Sequence, residues 1–216
     1  MTLNPPARAL LAAGGPPPPP SFIRQIYKPQ DFVIAADSGA EVLWASQVPI
    51  DLLVGDFDSL TKSLTPQLAP VPRLEYPCDK DASDLELALL EAHRRQISEV
   101  AIVAALEGRL DHTLFNLISL LEKADKLKLK ATIFSPHTTL FQLSKGQEST
   151  FPAPVGATLS LLPLDARAKV SLQGVKWPLQ EETLQRSSTR GLSNLVLASP
   201  IKITAHQGRL LVILSN

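Results

Sequence analysis

The chain has 216 residues, 44% hydrophobic and 19% charged, so it can bury a substantial core and is not an intrinsically disordered sequence. Its 21 basic and 21 acidic side chains cancel to a formal net charge of zero, which argues against a nucleic-acid-binding protein held by many phosphate contacts. The charge is unevenly distributed, because residues 31–111 carry fifteen acidic and six basic side chains. This acidic segment indicates where a cation would bind.

Cysteine content and hydropathy predict a cytoplasmic protein that does not enter a membrane. Cys78 is the single cysteine, so the chain cannot form an internal disulfide. No apolar run approaches the roughly 18 residues that a membrane helix needs. The apolar run at residues 9–13 is too short for the core of a signal peptide and leads into glycines and prolines.

Short apolar runs alternate with helical patterns over residues 1–135. Continuous apolar runs of this kind are typical of strands buried in a parallel sheet. The alternation predicts an α/β domain with a parallel, Rossmann-like sheet. The predicted strands cover residues 7–12, 32–36, 51–54, 100–105 and 128–134.

Three patterns predict helices between these strands. Capping boxes at Ser83–Glu86 and Ser38–Glu41 each predict a helix start, with the serine side chain accepting from the third helical amide. Apolar residues at helical spacing over residues 114–121 predict another helix with one buried face.

The pattern changes after Pro136, where short runs rich in Val, Ile, Leu and Thr are bounded by glycines. We therefore expect residues 136–216 to form an all-β domain, a small sandwich. The predicted strands cover residues 139–143, 158–162, 169–172, 195–198, 201–205 and 210–214.

Aspartates are concentrated where predicted strands end. Nine of the eleven lie between Asp31 and Asp111, with Asp37 after the second strand and Asp56 and Asp58 after the third. Because ligands bind beyond the carboxyl ends of strands in open parallel sheets, we expect these carboxylates to converge. Oxygen ligands without His or Cys partners suit Mg²⁺ bound together with substrate phosphates.

Two further polar loops precede predicted helices: Lys80-Asp81-x-Ser83-Asp84 and Gly108-Arg109-x-Asp111-His112. Any one of these aspartates is equally typical of a helix cap or a turn, and we interpret Asp31, Asp51 and Asp79 in that way. Three separated loops with the same character favour a shared metal–phosphate site. On residue type alone, Trp44 and Trp177 are expected in the core and Cys78 as a passive small hydrophobe.

The loops, taken together in chain order, resemble those of the thiamine pyrophosphokinase family. Segments 160–164, 174–179 and 191–194 also resemble the β-domain motifs of that family. The matching loops are Ala36-Asp37-Ser38-Gly39-Ala40, Gly55-Asp56-Phe57-Asp58-Ser59, Lys80-Asp81-Ala82-Ser83-Asp84 and Gly108-Arg109-Leu110-Asp111-His112.

The resemblance implies a catalytic domain over residues 1–135 that binds ATP and Mg²⁺, and a thiamine-binding β-sandwich over residues 136–216. It also implies a homodimer with active sites between the subunits. The implied reaction transfers diphosphate from ATP to the hydroxyethyl group of thiamine, giving thiamine diphosphate and AMP, with no nucleic-acid or membrane partner.

The resemblance further implies a role for each matching residue. The metal carboxylates would be Asp56, Asp58 and Asp84, and the nucleotide site would include Asp37, Lys80, Asp81, Ser83 and His112. Arg109 would face phosphate, and Asp111 would lie near thiamine as the candidate acceptor of its hydroxyl proton. Trp177 would stack on thiamine, and Ser193 and Asn194 would hydrogen-bond to it, partly from the partner subunit.

The sequence departs from the family pattern at three positions, and two other functions remain open. The family more often has Gly at Glu107 and at Ser38, and Thr at Ser83. One alternative is a phosphatase of the haloacid-dehalogenase type, with Asp56-Phe57-Asp58-Ser59 as its nucleophile loop. The other is a non-catalytic sensor that binds a nucleotide or thiamine, which the changes at Glu107 and Ser38 favour.

Overall fold

A computed structural model of the chain describes residues 6–58, 60–61 and 64–216. The chain divides into two compact units, Met1–Pro136 and His137–Asn216. Ser59, a member of one predicted loop, lies outside the described residues. Within the described ranges, no helix is both long enough and apolar enough to cross a bilayer.

The first unit contains a parallel sheet of six strands in the order β6-β5-β1-β2-β3-β4. All five predicted strands are present, with ends within two residues of the prediction. The short strand β4 was not predicted, because a single leucine between Arg73 and Glu75 carries no apolar pattern. The strands are β1 Arg8–Ala12, β2 Phe32–Ala36, β3 Leu52–Gly55, β4 Arg73–Glu75, β5 Glu99–Val103 and β6 Lys130–Ser135.

In the described part of the first unit, six short α-helices connect these strands. A π-helical turn, Asn116–Leu120, joins the last two. The central strands are buried on both faces, as the unbroken apolar runs predicted. The helices are α1 Pro20–Ile26, α2 Gly39–Ala45, α3 Thr65–Leu68, α4 Asp84–Arg94, α5 Leu110–Phe115 and α6 Leu121–Lys126.

The two predicted capping boxes have different outcomes. Ser83 caps α4 as expected, since its hydroxyl accepts from the Glu86 amide at 3.2 Å. The predicted helix start at Ser38 is confirmed, since Ser38 is the N-cap of α2, but its side chain makes no cap hydrogen bond, so the capping box itself is wrong. The Glu41 carboxylate instead accepts from the amide and hydroxyl of Thr61, at 2.8 and 2.6 Å. A tertiary contact has replaced the local one.

The predicted buried face over residues 114–121 is also wrong in part. Leu121 is buried, but Leu114 and Ile118 are half-exposed and Phe115 is more so. Trp44, expected in the core, is 46% exposed. For residues 114–121, the π-helical turn contributes to the wrong prediction, because it rotates the side chains away from a regular α-helical face.

The second unit consists of two antiparallel sheets, β12-β9-β14-β7 and β11-β10-β13-β8. Their inward-facing residues form one core, which includes Leu159 and Val212 from the first sheet and Val170 and Ile203 from the second. The strands are β7 Thr138–Leu143, β8 Glu148–Phe151, β9 Thr158–Pro163, β10 Arg167–Gln173, β11 Leu179–Gln185, β12 Asn194–Leu195, β13 Ile201–Gln207 and β14 Leu210–Ser215.

Strand prediction in this unit missed the polar strands. β8 and β11 carry charged and hydroxyl side chains at most outward positions, so neither shows an apolar run. The predicted strand at residues 195–198 is wrong beyond Leu195, where Val196 makes only an isolated bridge to Val175.

A close backbone approach joins β1 to α2. A Cβ added at Gly39 would overlap the carbonyl oxygen of Ala12, so any side chain at this position forces strand and helix apart. The approach determines where the polypeptide between β2 and α2, including Asp37, lies relative to the ends of β1 and β3.

Replacing Gly39 by Ala therefore tests which of two opposing effects on the free energy of unfolding is larger. Helix propensity alone favours Ala over Gly by about 1 kcal/mol, whereas overpacking in a tight contact costs about 1–3 kcal/mol. We expect G39A to lower the free energy of unfolding, measured by urea titration. Q25A, on the exposed surface of α1, is the control and should change it by less than about 0.5 kcal/mol. A stabilised G39A would show that β1 and α2 separate without cost.

Candidate active site

The carboxylates that follow β2 and β3 meet at the carboxyl edge of the parallel sheet. The Asp37 amide donates to the Val54 carbonyl at 2.9 Å, which holds the end of β2 against β3. A Cβ added at Gly55 would lie 3.3 Å from Asp37 and 3.2 Å from Asp84 Oδ1, so both side chains surround this glycine. The segments that follow β2 and β3 and the first residue of α4 therefore lie together at this edge.

One ammonium group lies between two of these carboxylates. Lys80 Nζ is 2.6 Å from Asp56 Oδ2 and 3.1 Å from Asp84 Oδ1. The three side chains are 14%, 13% and 22% exposed, so the cluster is largely shielded from water. Lys80 thus bridges the loop after β3 and the first residue of α4.

The ion pairs change the titration of the cluster. The hydrogen bond from Lys80 lowers the pKa of Asp56 below 3.8. Burial alone would lower the pKa of Lys80, but its hydrogen bonds to Asp56 and Asp84 outweigh burial and raise it above 10.5. Both groups of the Asp56–Lys80 pair are therefore charged throughout the physiological pH range.

A residue with a left-handed backbone conformation lies between Asp56 and Asp58 in the loop after β3. Phe57 has φ 61°, an uncommon conformation for a bulky residue. Its ring packs against the core of the first unit, and the Arg73 guanidinium lies 5.7 Å from the ring centroid. Carboxylate oxygens of Asp56 and Asp58 and the sulfur of Cys78 lie within 4.8 Å of one another.

Cys78 was not predicted as a member of this cluster. It is exposed, and the negative charge of Asp56 raises its pKa, so the thiol stays protonated near neutral pH. No spacing rule connects Cys78 to the β3 loop, because the contact depends on how the chain returns after β4.

A cavity of about 390 Å³ opens beside the start of α4 and along α5. Four predicted site residues line it: Asp81, Ser83, Asp111 and His112. The other lining residues were not predicted, and they include the aromatic ring of Phe115 and the Asn116 amide. Apolar spacing had placed this helix in the core, so its exposed face was not considered as a site.

Arg109 and Asp111 form a forked pair at the start of α5. Arg109 Nε and Nη2 lie 3.2 and 2.6 Å from the two Asp111 oxygens. The hydrogen bond from Arg109, together with that from the His112 amide, lowers the pKa of Asp111 to about 2. The same pair raises the pKa of Arg109. A carboxylate with this pKa remains ionised but is a weak base.

Glu107, one of the positions where the sequence departs from the family pattern, adopts a strained backbone conformation. Glu107 has φ 71° and Gly108 has φ 74°, so two successive residues adopt the left-handed conformation. Glycine adopts it without penalty, whereas glutamate does not. The loop conformation at Glu107 therefore carries a cost in strain.

The predicted thiamine residues of the second unit include one closely linked pair. The Trp177 amide donates to Asn194 Oδ1 at 3.1 Å, and Asn194 Nδ2 donates to the Trp177 carbonyl at 2.6 Å. Trp177 is 51% exposed, not buried in the core, and Lys176 Nζ lies 4.7 Å from its ring centroid. Asn194 thus holds the backbone that presents an open indole ring.

Ser193 directly precedes Asn194 in the chain and adopts a left-handed conformation, with φ 59°. Its amide donates to Ser160 Oγ at 3.0 Å, which ties it to β9. Ser193 is exposed, so its hydroxyl is accessible beside Asn194.

Two of the three aspartates interpreted as structural, Asp31 and Asp51, have structural partners. The Asp31 carboxylate accepts from the Lys28 amide at 2.8 Å and pairs with Arg8 at 3.5 Å. Asp51 accepts from the Val33 amide at 2.8 Å. These contacts distinguish both residues from the converging set.

Comparison with known proteins identifies relatives along nearly the whole chain. Residues 23–133 match the family model of the thiamin pyrophosphokinase catalytic domain, and residues 142–210 match that of the thiamin pyrophosphokinase vitamin B1 binding domain. The chain is 29% identical over 187 residues to the thiamine pyrophosphokinase of Bacillus subtilis (strain 168), covering 85% of this chain and 86% of that protein.

Solved structures agree with these matches. The crystal structure of thiamine pyrophosphokinase from Bacillus subtilis has a TM-score of 0.87 at 25% identity, covering 97% of this chain and 99% of that one. The thiamin pyrophosphokinase of Geobacillus thermodenitrificans has a TM-score of 0.85 at 25% identity, covering 97% of each chain. The yeast enzyme, at 15% identity, shares the fold with a TM-score of 0.79, covering 99% of this chain and 87% of that one.

Proposed function

Because the chain belongs to the thiamin pyrophosphokinase family and forms thiamine diphosphate from thiamine, we propose that its carboxylate edge binds the diphosphate donor, ATP, together with Mg²⁺. The observation that carries this proposal is the convergence of Asp56 and Asp84 on a single cation, Lys80 Nζ. The prediction of a thiamine diphosphokinase is confirmed by the family match.

The residues at this edge fit a magnesium ion. Asp56, Asp58 and Asp84 offer carboxylate oxygens, the hard ligands that Mg²⁺ takes alongside phosphate and water. Asp56 and Asp58 have oxygens close to one another, and Asp56 and Asp84 already share a positive charge. Bound there, Mg²⁺ would neutralise the negative charge of the phosphates during transfer.

We assign the neighbouring cavity and the carboxyl edge of the sheet to the nucleotide. The order of β3, β2, β1, β5 and β6 resembles a Rossmann-like sheet, in which ligands bind beyond the strand ends where the order reverses. Asp37 follows β2 at this edge, and Asp81, Ser83 and His112 line the cavity. Arg109, more than two-thirds exposed, is available for phosphate.

We assign thiamine to the surface around Trp177. An exposed indole that already lies against the Lys176 ammonium suits a cationic heterocycle by stacking and cation–π attraction. The Ser193 hydroxyl would hydrogen-bond to the ligand. Asn194 would act chiefly by holding Trp177, since its amide engages both backbone polar groups of that residue.

In the transfer step, the hydroxyl oxygen of thiamine attacks the β-phosphorus of ATP, and the bond from this phosphorus to the oxygen of AMP breaks. Catalysis then depends on holding these atoms in line and on balancing charge. Asp111 remains the candidate acceptor of the hydroxyl proton. With Arg109 paired to it, its pKa of about 2 makes it a weak base, so this role requires Arg109 to turn toward phosphate.

A homodimer is part of the proposal. Both units expose large apolar side chains, among them Leu110 and Phe115 in the first and Leu192 and Leu197 in the second. Four of the exposed apolar side chains, Leu110, Leu114, Phe115 and Ile118, lie within nine residues of one another on α5 and the π-helical turn, and a patch of such side chains marks an interaction surface. Sedimentation equilibrium should give twice the chain mass, and a monomer over the micromolar range would contradict the dimer.

Incubation with ATP, Mg²⁺ and thiamine tests the donor and the reaction. AMP should form in equal amount to thiamine diphosphate, measured by chromatography. Release of inorganic phosphate alone would indicate the phosphatase alternative, and ligand binding without turnover would indicate a sensor.

Asp84→Asn tests the metal assignment. Asn keeps the size and polarity of this first residue of α4, and Ser83 still caps the helix, so folding should be retained. We expect kcat to fall at least about a hundredfold, the scale for loss of one electrostatic stabilising group. Asp79→Asn, at an exposed residue before the cluster, is the control and should retain activity. Equal activity of D84N and wild type would refute the assignment.

Trp177→Ala tests the thiamine site. Loss of stacking should raise KM for thiamine about tenfold while leaving KM for ATP nearly unchanged. Trp44→Ala removes the other half-exposed indole, which is 46% exposed, and should affect neither value. If W177A raised both KM values equally, Trp177 would have a structural role only.

A further inference from the structure

We propose that Lys80 is an internal counter-ion that occupies the place of the divalent cation in the metal-free protein and must be displaced when the metal binds. The inference rests on the proposed function, because it takes Asp56 and Asp84 as metal ligands. It adds that this chain carries its own competitor for that position.

The contacts of the ammonium support this role. Lys80 Nζ reaches two carboxylates that belong to separate loops: it makes a charge-assisted hydrogen bond to Asp56 at 2.6 Å and an ion pair with Asp84 at 3.1 Å. The side chain is only 14% exposed, so it is held among the acidic groups and does not extend into solvent. A lysine that served only to bind phosphate would not need to contact both carboxylates.

Electrostatics explains why an internal cation is needed. Asp56 and Asp84 both lie within 3.1 Å of the same ammonium and are only 13% and 22% exposed, so shielding from water strengthens their mutual repulsion. Asp58, which is exposed, adds a further negative charge beside Asp56. An ammonium in their midst offsets that repulsion without metal. A divalent cation entering alone must break both ion pairs, so its affinity is reduced.

When a polyphosphate is present, its oxygens give the displaced ammonium a new partner. Binding of the metal and of the nucleotide should then be positively coupled, and the coupling is reciprocal by thermodynamic linkage. Lys80 would favour metal that arrives with the donor over free metal.

The test measures binding of Mn²⁺, as a spectroscopic substitute for Mg²⁺, by electron paramagnetic resonance without nucleotide. Lys80→Met should tighten Mn²⁺ binding about tenfold, because it removes the competing charge. Lys80→Arg, which retains the charge, should not tighten it. Lys126→Met removes one positive charge from an exposed residue of α6 and controls for net charge. Unchanged or weaker binding by K80M, or equal tightening by K126M, would overturn the proposal.

A nucleotide analogue that cannot transfer its phosphates provides a second readout. Adding it should strengthen Mn²⁺ binding more in wild type than in K80M, and an equal gain in both would also count against the proposal. Asp84→Asn separates the two hypotheses. If D84N loses Mn²⁺ affinity while K80M shows no tightening, only the role of Lys80 fails. If D84N binds Mn²⁺ as wild type does, the metal assignment itself fails.

Discussion

Mutual repulsion among carboxylates at one edge of a parallel sheet is the constraint on which the rest of the site depends. Parallel strands end at the same edge, so polar residues that follow β2 and β3 are brought together whatever their charge. Asp56 and Asp84 tolerate this proximity because Lys80 lies between them at 2.6 and 3.1 Å. In the structure the cation that offsets their charge is Lys80, and we propose that Mg²⁺ takes this place during turnover.

The positions of these groups depend on backbone conformations that cost energy locally. Phe57 is left-handed, and its ring is anchored in the core, so Asp56 and Asp58 present their oxygens close together. Glu107 adopts a similar conformation beside Gly108. Strain of this kind persists only where surrounding packing compensates for it, and it concentrates at functional loops. The tight approach of Gly39 to β1 belongs to the same framework.

The two proposed binding sites share an electrostatic feature. In the first unit, an ammonium lies between carboxylates, and in the second, the Lys176 ammonium lies 4.7 Å from the centroid of the exposed Trp177 ring. Each position is assigned to a cationic ligand, a metal ion in one case and thiamine in the other. Surfaces suited to cations attract the nearest available one, and a neighbouring lysine has the highest effective concentration.

The sequence by itself determined most of the apolar strands, the α/β and all-β character of the two halves of the chain, and the family, because apolar periodicity and short polar loops are local signals. It placed Asp37, Asp56, Asp58 and Asp84 at strand and helix ends. Only the tertiary structure decided which groups meet: Lys80 with Asp56, Glu41 with Thr61, and Asn194 with Trp177. It also decided that the helix face near Phe115 is exposed, although its spacing predicted burial. Spacing reports which residues share a face, but what covers that face depends on residues distant in the chain.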